Sequence, residues 1–225
     1  MNEKIYPDSG VELTGFTAKY YDKVMNTMSL GLYSGFIKKA IKNMSIQSGD
    51  TILDLGCGTG RNANLMSQFI GETGQITGLD ISEHMENQFL KKFKNQANIT
   101  FANQRIDQIF DLKQQFNVVF ISFVIHGFPH EIRSTVIQNA LNHLKPGGAF
   151  YILDFAEFDT DKMPAHHRYI FKKVECKYAF DYIERDWKSI LKESGFANFE
   201  ESFYLKKYVR LLKAVKIESE TNTSL

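Results

Sequence analysis

The stretch Thr51-Ile52-Leu53-Asp54-Leu55-Gly56-Cys57-Gly58-Thr59-Gly60-Arg61 decides how the rest of this chain is interpreted. Its first half is a short apolar run with a β-branched start, which is typical of a buried strand. Three glycines follow at alternate positions, and residues 61–69 then carry apolar side chains at helical spacing. The stretch therefore predicts a strand, a tight turn and a helix, with glycine supplying the backbone freedom that the turn needs.

A glycine turn in this position is typical of a cofactor site. A helix that begins beside it presents free N–H groups and the positive end of its dipole to a ligand. In open parallel sheets, ligands bind at the carboxyl ends of the strands. We therefore expect a nucleotide-like cofactor beside Gly56, Gly58 and Gly60, with a turn that binds no ligand as the alternative.

The spacing of the glycines narrows the choice of cofactor. A dinucleotide fingerprint, G-x-G-x-x-G, has its third glycine where Arg61 stands, whereas here Gly60 comes one residue earlier. This difference disfavours a nicotinamide dehydrogenase. A second predicted strand, residues 75–79, leads into Asp80, twenty residues after Gly60. A carboxylate in that position can accept hydrogen bonds from the two hydroxyls of a ribose.

The segments 53–60 and 78–82 together resemble the class I S-adenosylmethionine (SAM)-dependent methyltransferases. Residues 144–148, Leu-Lys-Pro-Gly-Gly, resemble the turn into that family's fifth strand. Two predicted strands, 198–205 and 208–215, are joined by two residues and so predict an antiparallel hairpin like the one that ends the family's sheet. The resemblance covers about residues 45–215. It implies an α/β fold: a Rossmann-like, doubly wound sheet of seven strands with the last strand antiparallel.

The resemblance implies SAM as cofactor and S-adenosylhomocysteine as product. The backbone from Gly56 through Cys57 and Gly58 to Gly60 would approach the methionine portion. Asp54 would orient the loop or meet the cofactor's ammonium, and Asp80 would bind the ribose hydroxyls. Cys57 itself reads as a small filler between glycines.

The adenine end of the cofactor site is less regular. Ile81 is expected to pack on the adenine. Many relatives carry an Asp for the adenine amino group where Arg105 stands here, so Asp107, Gln104 or the backbone of Ile106 remain as substitutes. After the fourth predicted strand, Ser122 and Phe123 are expected to line the wall of the site.

The acceptor side offers a titratable group and several aromatic residues. His126 is the candidate general base, because the ordinary pKa of histidine suits proton transfer near neutral pH; the alternative is a histidine packed under the cap. Tyr21, Tyr33 and Tyr178 are candidate substrate contacts for a flat or apolar acceptor. Aromatic residues in these regions also serve to pack a cap on a sheet, and both interpretations stay open.

A narrower resemblance lies near the N-terminus. Residues 21–29, Tyr-Asp-Lys-Val-Met-Asn-Thr-Met-Ser, are similar to the start of the quinone-biosynthesis C-methyltransferases. Tyr33 and Phe36 stand about where those enzymes have a His and a Trp. We predict a methyltransferase for a small-molecule acceptor, with an aromatic or quinone-like ring as one possibility. Methyl transfer to O, N or S of another metabolite, and a module that binds SAM without turnover, are the alternatives.

Length and composition bound these predictions. The 225 residues, 43% hydrophobic, suit a single methyltransferase domain (1–225) with an N-terminal helical lid (1–44) and an inserted helical cap (157–184). A net charge of +1 disfavours a nucleic-acid partner. Two cysteines with no metal-ligand spacing, no transmembrane segment and no signal sequence predict a cytoplasmic protein without a metal site. The sequence leaves the oligomeric state open.

Overall fold

The computed structural model describes Ser9 and residues 32–218, without the side chains of residues 32–34, 170 and 174. Within this part of the chain, seven strands form one sheet in the order β3-β2-β1-β4-β5-β7-β6. The strands are β1 Thr51–Leu55, β2 Gln75–Asp80, β3 Ile99–Asn103, β4 Phe116–Ser122, β5 Leu144–Phe155, β6 Phe196–Tyr204 and β7 Val209–Lys216.

The pairing of the strands confirms the predicted fold class. β1 to β5 pair in parallel, whereas β7 runs antiparallel between β5 and β6. β4 lies in the middle of the sheet, as its apolar sequence predicts for a strand that is buried on both faces. Its side chains alternate between the two faces: Val119 and Ile121 enter one core cluster, and Val118 and Phe120 enter the other.

Helices cover both faces of the sheet. Three of them bury apolar residues in the cluster that contains Phe120: α1 Leu32–Lys42, α2 Arg61–Ile70 and α3 Glu83–Phe93. The opposite face is covered by α4 His130–His143, α6 Lys177–Ile183 and α7 Trp187–Glu193. A further helix, α5 Ala165–Val174, precedes α6. The layered arrangement brings the carboxyl ends of β1, β2 and β4 to one edge.

Two predicted connections differ in the structure. The run 145–148, predicted as the turn before the fifth strand, lies inside β5. It forms an irregular bulge there, because Leu144 pairs with Phe116 whereas Ala149 pairs with Val118. The predicted two-residue connection of the hairpin was also wrong. Residues 205–208 connect β6 to β7, and 205–207 form a short 3-10 helix with positive φ angles. The predicted antiparallel pairing is confirmed.

The segment 157–184 contains a 3-10 turn, Thr160–Lys162, followed by α5 and α6. We refer to it below as the cap. The predicted N-terminal lid spans residues 1–44. Of its first 31 residues, the structure describes only Ser9. In the part of the chain that the structure covers, no helix is both long and apolar enough to cross a bilayer.

Candidate functional site

The glycine turn between β1 and α2 is fixed by backbone hydrogen bonds. The N–H groups of Gly56 and Cys57 both donate to the carbonyl of Leu79 in β2, at 2.8 and 2.9 Å. Gly56, Gly58 and Gly60 have φ angles of 71°, 54° and 73°, which lie in the left-handed region. L side chains rarely adopt this conformation, so the alternating glycines follow from the path of the backbone.

Gly58 and Gly60 differ in what surrounds them. A Cβ atom on Gly60 would lie 2.5 Å from Phe93 and 2.7 Å from Phe89, so this glycine lets α3 pack closely on the turn. A Cβ atom on Gly58 would meet only the sulfur of Met85, at 4.0 Å. The turn is therefore packed against protein at Gly60 and open at Gly58, as a loop that approaches a ligand must be.

Asp80 is held at the end of β2 by the backbone of two different segments. Its Oδ2 accepts a hydrogen bond from the N–H of Gly58, and its Oδ1 accepts one from the N–H of Ser82, both at 2.9 Å. Burial raises the pKa of Asp80 and backbone N–H groups oppose the rise, with a net increase. Ser82 is the N-cap residue of α3, but its hydroxyl makes no capping hydrogen bond.

Asp54 is a deeply buried carboxyl of the site, with only 1% of its surface exposed. Its Oδ2 is buried and has no hydrogen-bond partner among the described residues. Burial, and secondarily the charge of Asp80, raise the pKa of Asp54 to about 8. An unpaired buried carboxyl of this kind is costly unless a cation or a proton balances it. The ammonium group of SAM is a cation of the type that fits this position.

Cys57 lies inside the turn and packs against β2. A Cβ atom on Gly78 would lie 2.7 Å from the Cys57 sulfur, so the glycine in the strand makes room for the thiol. Burial, with the nearby carboxyls Asp54 and Asp80, raises the pKa of the thiol well above its ordinary value. The thiol therefore stays protonated and acts as a small packing group.

The residues predicted for the adenine end are divided between surface and core. Ile81 follows Asp80 and is 43% exposed, which leaves an apolar side chain free beside the glycine turn. Ile106 is buried in the core, and its carbonyl accepts a hydrogen bond from the Asn139 amide. An adenine contact by Ile106 would therefore fall to its backbone N–H. Asp107 is engaged by the guanidinium of Arg105.

The chain leaves β4 through a strained residue. Ser122 ends the strand half-buried, and Phe123 then takes a φ angle of 52°, which is unfavourable for a residue with a side chain. The Phe123 N–H donates to the carbonyl of Leu153 in β5 at 3.0 Å. The turn brings Val124 onto Gly56, where a Cβ atom would lie 2.8 Å from the valine methyl. The end of β4 and the glycine turn are thus in direct contact.

His126 lies in the 3-10 turn Ile125–Gly127 after β4, with 12% of its side chain exposed. Its Nδ1 is 2.7 Å from Oδ1 of Asp154, a residue of β5 that is 1% exposed. On the other side of the ring, Nε2 lies 3.8 Å from the carboxylate of Glu175 in the cap. Burial lowers the pKa of His126, but Asp154 and Glu175 outweigh this effect and the net pKa is raised.

Sequence reasoning missed Asp154 and Glu175. A signal for Asp154 was available, since it ends a buried apolar strand just as Asp54 and Asp80 mark the ends of β1 and β2. Glu175 carries no such signal. It follows α5 in a charged stretch and meets His126 only through tertiary folding.

Arg133 of α4 ties the cap to the segment that carries His126. Its Nη2 donates to the carbonyl oxygens of His126, at 3.1 Å, and of Tyr178, at 2.6 Å. Its Nη1 donates to Asp181 of α6 at 2.6 Å. The guanidinium also lies 5.2 Å from the ring centre of Tyr182. A fully buried arginine thus joins three parts of the chain around the histidine.

The three tyrosines predicted as substrate contacts are only partly covered by the structure. Tyr21 lies outside the described residues, as does the side chain of Tyr33 in α1. Tyr178 is half-buried in α6, with the Lys177 ammonium 5.1 Å from its ring centre. Other aromatic residues of the cap pack inward: the rings of Phe171 and Phe155 lie 5.3 Å apart, and Tyr182 is buried. Phe171 and Tyr182 therefore pack the cap against the rest of the domain.

Comparison with known proteins places this geometry in a family. A profile of the ubiE/COQ5 methyltransferase family matches residues 12–181, well over half of the chain. The chain belongs to the ubiE/COQ5 methyltransferase family. This membership confirms the predicted similarity to quinone-biosynthesis methyltransferases. The chain is a SAM-dependent methyltransferase that transfers a methyl group to a small-molecule acceptor.

Curated relatives of this methyltransferase share about a quarter to a third of their aligned residues with it. A demethylmenaquinone methyltransferase of Staphylococcus carnosus is 28% identical over 199 residues, which are 80% of this chain and 81% of that protein. The enzyme of the same name from Listeria monocytogenes is 27% identical over 191 residues, covering 81% of this chain and 80% of the relative. A demethylmenaquinone methyltransferase of Desulfitobacterium hafniense is 34% identical over 152 residues, which are 62% of this chain and 56% of that protein.

Solved structures support the fold. A SAM-dependent methyltransferase from Aquifex aeolicus matches with a TM-score of 0.59 at 20% identity, covering 80% of this chain and 89% of that one. A phosphoethanolamine N-methyltransferase of Haemonchus contortus in complex with SAM matches with a TM-score of 0.62 at 17% identity, covering 82% of this chain and 53% of that one. At these identities the likeness shows the fold alone. The second of these structures contains SAM bound to a protein of this fold.

Proposed function

We propose that this methyltransferase adds the methyl group of SAM to a ring carbon of a quinol, the reduced form of a quinone-like acceptor. The curated relatives carry the name of an enzyme for demethylmenaquinone, and this name supports the class of acceptor. The observation that carries the proposal is the His126–Asp154 pair at the carboxyl edge of β4 and β5. A neutral imidazole held by a buried carboxylate is suited to take a proton from a ring hydroxyl.

The reduced form of the acceptor follows from the chemistry of methyl transfer. SAM supplies an electrophilic methyl group on a positively charged sulfur, so the accepting carbon must provide an electron pair. The ring carbons of an oxidised quinone are electron-poor and cannot do so. A hydroquinone that has lost a hydroxyl proton pushes electron density onto the ring carbon beside it. A base next to the acceptor is therefore the group that such a reaction requires, and His126 is proposed for that role.

The cofactor would lie over the glycine turn. Gly58 is open and Asp54 has an unpaired buried oxygen, which supports an assignment of the methionine portion to this end. Asp80 is pre-oriented by two backbone N–H groups, and each of its oxygens retains acceptor capacity for a ribose hydroxyl. We assign the remaining contacts as the sequence predicts them, to Gly56, Cys57 and Gly60 for the turn and to Ile81, Ile106, Ser122 and Phe123 around it.

The rest of the chain is assigned by the same logic. We infer a single domain in which the cap, with Tyr178, and the N-terminal lid, with Tyr21 and Tyr33, enclose the acceptor. Excluding water around the reacting atoms and holding them in line supplies much of the catalysis in methyl transfer, up to roughly 7–11 kcal/mol in favourable reactions. We infer a cytoplasmic enzyme that has no nucleic-acid partner, and the net charge of +1 supports the second of these inferences.

The decisive experiment supplies the purified protein with methyl-labelled SAM and a demethylnaphthoquinol that carries a short isoprenyl chain. The quinol is kept reduced under anaerobic conditions, and the oxidised quinone serves as the matched control. We expect label on a ring carbon of the quinol, located by mass spectrometry and NMR, and none on the quinone. Label on an oxygen or nitrogen of another acceptor, with the quinol unchanged, would contradict the proposal.

A further inference from the structure

The two ring nitrogens of His126 face two different carboxylates. Asp154 accepts hydrogen bonds from the ring Nδ1 at 2.7 Å, from the His126 backbone N–H at 3.4 Å and from the Phe155 N–H at 2.8 Å. A carboxylate that accepts from Nδ1 keeps the proton of the neutral imidazole on that nitrogen. The lone pair of the neutral ring is then on Nε2, on the side that faces the cap.

Glu175 is the charged group on the Nε2 side. It directly follows α5, so the cap alone brings it to His126. The separation of 3.8 Å between Nε2 and Oε2 is too long for a hydrogen bond but short enough for a strong charge interaction. Burial raises the pKa of Glu175, the His126 charge opposes this rise and the Asp154 charge adds to it, with a net increase. An ionised Glu175 and an imidazolium therefore stabilise each other.

Among the described residues around this pair, one carries an opposing charge. Arg133 of α4 donates to the His126 carbonyl, and its positive charge lowers the pKa of the imidazole. The ring of Tyr182 in α6 lies 6.4 Å from the imidazole, and that of Phe155 in β5 lies 5.0 Å away. Asp154, Glu175, Arg133 and Tyr182 are the titratable or charged groups that face His126 from the described elements around it. The two carboxylates outweigh the arginine.

We propose that Glu175 is a positioning residue for catalysis: the cap brings its carboxylate to His126, where it stabilises the imidazolium that forms when Nε2 takes a proton from the acceptor. The inference rests on the proposed function for its role in turnover. It makes the cap a part of the proton-accepting site as well as a cover over it.

The imidazolium that Glu175 stabilises forms in the first step of the proposed reaction. The O–H bond of the quinol breaks and its proton goes to Nε2. The ring carbon then forms a bond to the methyl group while the bond between methyl and sulfur breaks. The electron pair of the breaking bond stays on sulfur. The ring C–H loses its proton as aromaticity returns, and the oxygen recovers one. One proton is released for each methyl group transferred, and no oxidant or reductant is consumed.

The first test measures His126 directly and needs no acceptor. The imidazole resonances of the full-length protein are titrated by NMR, and the His126 signals are identified by their loss in His126→Gln. We expect Glu175→Gln to lower the pKa of His126, because it removes a negative charge 3.8 Å from Nε2. Glu175→Asp keeps the charge and should restore part of the shift. Glu184→Gln, which changes an exposed carboxylate of the same cap, is the matched control and should leave the pKa unchanged.

The second test measures turnover of the quinol. We expect Glu175→Gln to lower kcat about tenfold, which corresponds to about 1.4 kcal/mol, with SAM affinity unchanged. In a His126→Gln background the same substitution should have no further effect, because Glu175 acts through the imidazole.

The two tests separate the inference from the proposed function. A His126 pKa that is the same in wild type and Glu175→Gln overturns the inference, whatever the acceptor is. An additive loss of kcat in the double variant also overturns it, since that result indicates a purely structural role. A lowered pKa without methylation of the quinol supports the coupling between Glu175 and His126 and contradicts the proposed acceptor.

Discussion

The N–H of Gly58 donates a hydrogen bond to Oδ2 of Asp80 at 2.9 Å, and so joins the glycine turn after β1 to the acidic end of β2. The two residues are 22 positions apart in the chain. The bond fixes the carboxylate beside the turn before any ligand binds. The turn and the acid therefore form one preorganised unit, and preorganisation reduces the cost of binding.

This relationship predicts the effect of a substitution at Asp80. Asp80→Asn keeps the shape of the side chain but replaces one acceptor oxygen by an amide that cannot accept from a backbone N–H. We expect SAM to bind at least tenfold more weakly, which corresponds to about 1.4 kcal/mol. Isothermal titration measures the change. Asp111→Asn, at an exposed carboxylate, is the control. An unchanged affinity in a folded Asp80→Asn protein would exclude Asp80 from the cofactor site.

A pair of alanine substitutions separates ligand space from internal packing in the glycine turn. Gly60→Ala places a methyl group against buried Phe89 and Phe93 and should lower the free energy of unfolding by roughly 2–4 kcal/mol. Gly58→Ala has open space around it and should lose only about 1 kcal/mol from the left-handed backbone. We expect Gly58→Ala to remain folded and to bind SAM more weakly. Chemical denaturation and isothermal titration, done on both variants, check the contrast.

The raised pKa of Asp54 predicts that SAM binding releases a proton. With a pKa of about 8, this carboxyl is mostly protonated at pH 7 in the free protein. A bound ammonium favours the ionised form, so the proton leaves on binding. Titrations in buffers of different ionisation enthalpy should show this release, and Asp54→Asn should remove it. Equal binding enthalpies in all buffers for the wild type would contradict the assignment.

The same group predicts how stability depends on pH. Between the ordinary pKa of an aspartate and about 8, the folded protein holds a proton that the unfolded chain has lost. The contribution of Asp54 to the free energy of unfolding therefore falls as the pH rises through this window. Denaturant titrations at pH 5 and pH 8 should show a smaller decrease in Asp54→Asn than in the wild type. A decrease that is the same in both proteins would count against the raised pKa.

Asp181 is expected to stabilise the cap through Arg133. Asp181→Ala removes the carboxylate that pairs with a fully buried guanidinium. We expect a loss of about 2 kcal/mol in the free energy of unfolding, because a hydrogen bond to a charged group is worth roughly 1.5–3 kcal/mol. Glu184→Ala, in the exposed end of the same segment, should change stability little. Equal denaturation midpoints for the two variants would show that the pair contributes nothing measurable.

Local sequence carried much of the fold. The run 51–61 predicted a strand, a glycine turn and a helix, and the family resemblance implied a doubly wound sheet that ends in an antiparallel hairpin. Hydrophobic periodicity and glycine positions determine local structure within a few residues, so they predict it without knowledge of the rest of the chain. The bulge in β5 could not, because its register is set by pairing with Phe116 and Val118.

The sequence by itself determined the glycine turn, the acid at the end of β2 and the family resemblance, because each depends on residue types at fixed short spacing. Only the tertiary structure decided the surroundings of His126. Asp154, Glu175 and Arg133 come from β5, the cap and α4, at separations of 7 to 49 residues in the chain. A pKa depends on distances and burial in space, and these are properties of the packed molecule rather than of its local sequence.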